Sequence, residues 1–140
     1  MTALIHQEYP VAAEDYTRAG EASADIKRRL KQLGVSSMVL RRVAVASYEV
    51  ELNLVIHSRG GVLTLEVEPD RVRLVSRDVG PGIPDVELAM REGYSTASDD
   101  VRMMGFGAGM GLSNMARNSD RFHIESQVGV GTEITMGFDL

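Results

Sequence analysis

The chain has 140 residues, with 15 Lys and Arg against 20 Asp and Glu, a formal net charge of -5 and no cysteine. That length suits one domain, residues 1–140, with a core of its own. The missing cysteine excludes a disulfide framework, a thiolate nucleophile and a Cys-ligated zinc. The single basic cluster, KRRLK, falls in a helical pattern and gives no nucleic-acid footprint. No apolar run is long enough to span a membrane, and the N-terminus lacks a basic stretch leading into an apolar one. The expectation is a soluble, cytoplasmic protein with neither membrane nor nucleic acid as partner.

In chain order, ALIHQ reads as a short first strand. Glu14 to Leu33 reads as a helix with apolar positions at Ala19, Ala22, Ile26, Leu30 and Leu33, ended by Gly34. Ser36 or Ser37 then caps a second helix, from Met38 to about His57, apolar on several sides and therefore buried between layers. VLTLEVEPDRVRLVSRD alternates on both sides of EPD and predicts a hairpin, with Leu63, Leu65 and Val67 on one face of the first arm and Val72, Leu74 and Ser76 on one face of the second. A short helix follows Pro84, from Asp85 to about Arg91; residues 93 to 110 read as a loop; Gly111 to Asn118 reads as another short helix. RFHIES and TEITMGF alternate as strands around QVGVG. The fold class is α+β: a two-layer α/β sandwich with a mixed, mostly antiparallel sheet and helices on one face.

Glu49, Asn53 and His57 are spaced by four and stack on one face of the second helix. Two readings stand. They form the helix's wet stripe, with Arg42 and Glu51 as further surface residues; or Glu49 and Asn53 face a ligand. A carboxylate takes a proton from a hydroxyl or water, and an amide oxygen holds a magnesium ion that bridges phosphates. His57, at the helix end, reads as a capping or packing residue rather than a catalyst.

DVGPGI ends the hairpin's second arm. Gly80 and Gly82 either turn the backbone or let a ligand approach. Asp78 as an acceptor is suited to an exocyclic amine such as that of adenine. In GFGAGMGL, glycines 105, 107, 109 and 111 recur every second residue before a helix, whose first N–H groups attract phosphate. A Walker loop is ruled out: the only lysines, Lys27 and Lys31, are far away and Leu112 follows Gly111. A dinucleotide fingerprint also fails, because DDVRMM is a poor buried strand and too little chain follows. GVGTE is a hairpin turn in which Thr132 either touches a phosphate or packs the floor.

The order E-x-x-x-N, D-x-G-x-G-I, G-x-G-x-G-x-G, G-x-G-T resembles the GHKL ATPase superfamily of gyrase, sensor histidine kinases and MutL, with its Bergerat nucleotide fold. DVGPGIPDVELAMREGYST and FHIESQVGVGT are closest to its small anti-sigma-type serine/threonine kinases, the stressosome switch kinases. The resemblance implies ATP and magnesium as cofactors. It implies Glu49 as general base, Asn53 on magnesium and Asp78 on the adenine amine, with Gly80, Gly82, Ile83 and Thr132 around the nucleotide. Gly105, Gly107, Ala108, Gly109, Met110, Gly111 and Leu112 would wrap the phosphates. The implied partner is a STAS-domain or sigma-factor/phosphatase-type regulatory protein whose serine or threonine receives the phosphate; a homodimer stays open. The alternative within the resemblance is an ATP-binding anti-sigma or switch module that controls a partner without efficient transfer. The chain departs from the pattern in ASDDVRMMGFGAG, a longer lid at 93–104 where Arg102 either meets the γ-phosphate or is solvated, and in GLSNMARNSD after the second glycine box. Methionines 103, 104, 110 and 115 are read as a soft partner surface or as core.

Overall fold

Period-two alternation in the strands builds the frame. In the computed structural model, which describes residues 4–91 and 111–140, the elements are β1 (Ile5–Val11), α1 (Glu21–Gln32), α2 (Ser37–His57), β2 (Gly61–Glu68), β3 (Arg71–Asp78), α3 (Val86–Ala89), α4 (Gly111–Asn118), β4 (Arg121–Gln127) and β5 (Gly131–Asp139). The strands form one sheet in the order β1-β2-β3-β5-β4, and each described pairing is antiparallel.

Cross-strand rows carry the core. Leu65 pairs with Leu74 and Leu74 with Met136; Val67 pairs with Val72 and Val72 with Phe138. All of these side chains are buried, together with Ile26 and Leu30 of α1, Val43, Val50 and Leu54 of α2, and Met115 of α4. The helices therefore pack on one face of the sheet. Met115 is core; methionines 103, 104 and 110 lie outside the described residues. The other face is wet, with acid–arginine pairs such as Arg77–Glu133 at 3.0 Å.

Ser36 caps α2, its Oγ accepting from Val39 N–H at 3.4 Å. At the end of α1, Val35 N–H bonds the Leu30 carbonyl and Gly34 N–H the Lys31 carbonyl, the paired bonds of a Schellman ending. The start of α1 differs from expectation. The helix begins at Glu21, not Glu14. Glu14 has a left-handed φ of 61°, and its N–H is tied to the Val55 carbonyl at 2.8 Å. The preceding Gly20 offers no side-chain cap. The cap comes from α2 instead: Glu51 accepts from Ala22 N–H at 3.1 Å and Ser23 N–H at 2.9 Å. Glu51 is only 2% exposed, so the reading of it as a surface residue is overturned. Its negative charge meets the positive end of the α1 dipole and fills two donors that the helix leaves open.

Among the described residues, no helix is long and apolar enough to cross a membrane.

Candidate functional site

Three polar residues interrupt the apolar course of α2. Glu49, Asn53 and His57 are each half-buried and form a line about 12 Å long at the rise of an α-helix. At one end of this line lies α4. Glu49 Oε1 accepts from Asn114 Nδ2 at 3.3 Å. Its Oε2 sits over Gly111, where a Cβ would come within 3.3 Å of it.

At the other end α2 stops and the chain meets the loop after β3. Arg59 N–H donates to the Val79 carbonyl at 2.7 Å, and Val79 N–H donates to the Gly60 carbonyl at 3.1 Å. Burial holds the His57 imidazole below the usual histidine range, which favours its neutral form.

The loop after β3 rests on the turn between β4 and β5. Thr132 N–H donates to Asp78 Oδ1 at 2.9 Å. Thr132 Oγ1 lies 2.9 Å from Ser126 Oγ, which accepts from Ile83 N–H at 2.7 Å. Gly80 N–H bonds the Val130 carbonyl and Gly129 N–H the Pro81 carbonyl. Gly82, at φ 73°, allows a close approach: a Cβ there would run into the Gln127 carbonyl oxygen, as one at Gly131 would run into the Asp78 carbonyl oxygen. Any other residue would separate loop and turn.

Asp78, Gly80, Gly82, Ile83 and Thr132 thus form one platform, while Glu49 and Gly111 meet at the far end of the α2 line. Leu112 is buried behind, in the core. Asn53 stands between, and among the described residues its amide has no hydrogen-bond partner. Gly105, Gly107, Ala108, Gly109, Met110 and Arg102, with the 93–104 lid, lie outside the described residues. Two contributors escaped the sequence reading. Ser126 sat unremarked in FHIESQVGVGT, and its role depends on the register of β4 against β5. Asn114 stands in the segment that departs from the family pattern, and only helix packing brings it to Glu49.

Asp78 is half-buried. Burial raises its carboxyl above the ordinary range, and the Thr132 N–H bond partly offsets this. The folded state therefore holds that proton more tightly than the unfolded chain does. This contribution to stability is present below the ordinary carboxylate range and is lost as pH rises through the raised folded value. Asp78→Asn keeps an acceptor for Thr132 and removes the charge. Its melting temperature relative to the parent is expected to rise as pH climbs from about 4 through the raised folded value. A flat difference across that range in parallel thermal melts would contradict the burial argument.

Among the described residues no group of three or more His, Cys, Asp or Glu could hold a metal ion. Magnesium bound through phosphates and water needs only one or two protein oxygens, and the unpartnered Asn53 amide offers one. Asp78 has one oxygen engaged by Thr132, and its other oxygen has no partner among the described residues. The donor set fits a magnesium nucleotide.

The model of the histidine kinase-, DNA gyrase B-, and HSP90-like ATPase family matches residues 38–140. The chain is 32% identical over 108 residues to the serine/threonine-protein kinase RsbT of Bacillus subtilis, covering 74% of this chain and 75% of that protein. It is 33% identical over 99 residues to the anti-sigma F factor of Clostridium acetobutylicum, covering 67% of this chain and 66% of that protein, just under two thirds. The anti-sigma F factor of Geobacillus stearothermophilus is 30% identical over 109 residues, 74% of this chain and 71% of that protein.

Proposed function

The chain belongs to the histidine kinase-, DNA gyrase B-, and HSP90-like ATPase family, and from that premise we propose that it is an ATP- and magnesium-dependent serine/threonine protein kinase acting on a small regulatory partner of the STAS type in bacterial sigma-factor signalling. One observation carries the reading. A half-buried acid and an amide with no partner among the described residues lie on one line of α2, between a glycine-started helix at Gly111 and a glycine loop fixed by Asp78 and Thr132.

Bound ATP supplies the phosphoryl group that moves. Asn53 holds magnesium through its amide oxygen, Asp78 accepts a hydrogen bond from the adenine amine, and Glu49 takes the proton from the incoming hydroxyl. Little else is asked of the protein, because phosphoryl transfer is mostly positioning and charge stabilisation. The experiment is transfer of labelled phosphate from Mg-ATP to a serine or threonine of a STAS-type protein encoded beside this chain. Labelling abolished by removing that hydroxyl supports the reading. Tight ATP binding with no transfer favours instead a switch module that works by binding.

Asn53→Ala is expected to lower ATP affinity about a hundredfold in magnesium, about 2.7 kcal/mol, and hardly at all in EDTA. Calorimetry in the two buffers decides it; equal losses would mean that Asn53 does not act through the metal. Asp78→Asn is expected to weaken ATP more than GTP, since only adenine presents a donor to that carboxylate. Equal losses for the two nucleotides would remove the base-reading role.

A further inference from the structure

Asn114 lies three residues after Gly111 on α4, so both face α2. Its amide is gripped from two sides. Nδ2 donates to Glu49 Oε1 at 3.3 Å, and Oδ1 accepts from Arg117 Nη1 at 3.3 Å. An arginine only donates and a carboxylate only accepts, so this amide has one satisfactory orientation. With Oε1 held by Asn114, Glu49 turns Oε2 over Gly111, which has no side chain to block it.

We propose that Asn114, locked by Arg117, is the positioning residue that aims the Glu49 carboxylate. The inference rests on Glu49 being the base in the proposed kinase. An asparagine fits this place as an aspartate does not: Asp would offer no donor and would set a second negative charge against Glu49.

The test uses the full chain and single-turnover hydrolysis of Mg-ATP, with water as the acceptor that Glu49 serves. Asn114→Ala is expected to lower the rate about tenfold, about 1.4 kcal/mol in the barrier, a value in reach of one hydrogen bond to a charge. The Mg-ATP concentration for half-maximal rate and the melting temperature should stay at parental values. Asn114→Asp should lose more, and Arg117→Ala less, about threefold, because the amide keeps its donor but is free to flip. A purely structural role would move the melting temperature or the half-saturating concentration, not the rate alone. Arg117 is exposed, so Arg117→Ala keeps the test alive if the Asn114 variants fail to fold.

Glu49→Gln, run alongside, separates the two layers. If it hydrolyses Mg-ATP like the parent, the base assignment falls and this inference with it; if the parent hydrolyses none, the same variants are compared by the rate of phosphate transfer to the partner hydroxyl, and a parental transfer rate in Glu49→Gln has the same consequence. If Glu49→Gln is inactive while Asn114→Ala and Arg117→Ala keep the parental rate, only the positioning role is overturned.

Discussion

Glu49→Gln is expected to bind Mg-ATP as tightly as the parent and to pass its phosphate to a partner serine about a thousandfold more slowly. The substitution is close to isosteric. Its amide oxygen can still accept from Asn114, which holds Glu49 Oε1 at 3.3 Å in the parent, so the local packing survives. What is lost is a group that can take a proton. Calorimetric affinity and the rate of labelling are the paired measurements. Parental labelling by the variant would mean that the hydroxyl's proton leaves by another route, and would move the search to other acceptors around the phosphates.

The second large effect concerns stability. Glu51→Ala is expected to cost about 3 kcal/mol of folding free energy, read as a lower denaturant midpoint at unchanged slope. Two N–H groups of α1, at Ala22 and Ser23, lose a charged acceptor in a buried place. The neighbouring Gly20 has no side chain to replace it. Ile26 and Leu30, fully buried on the same helix, give the loss its reach, because a frayed first turn loosens the face that carries them. A change under about 0.5 kcal/mol, the usual size for a surface position, would show that water satisfies those donors as well as Glu51 does.

These two acids, two residues apart, show what the sequence discloses and what it withholds. Glu49 falls on a four-residue polar spacing with Asn53 and His57, a pattern local enough to see in the string. Glu51 breaks no pattern and has its partners 28 and 29 residues upstream, so nothing local marks it. The same division explains the late start of α1. Apolar spacing from Ala19 to Leu33 fits a helix from Glu14, but Glu14 is tied to the Val55 carbonyl and takes a left-handed turn. The hairpin around EPD and the strands flanking QVGVG were legible because alternation is a short-range signal. Asp78, Gly80 and Gly82 could be picked out as a turn or a ligand floor. That the loop is fastened to Thr132 and Ser126 depends on β3 pairing with β5, a long-range event without a local trace.

That pairing has an evolutionary corollary. Arg77 faces Glu133 across neighbouring strands, yet the glycine loop, α3, α4 and β4 are all strung between them. Asp78 and Thr132 stand as gateposts to this excursion, joined by their hydrogen bond. Because closing a longer loop costs only about 0.6 kcal/mol per doubling of length, descendants of this chain can change the length of the connections within this excursion while β4 keeps its place on β5 and the register of the central strands is undisturbed. Selection for a new binding partner would then find its raw material there, while the inherited scaffold stays as it is.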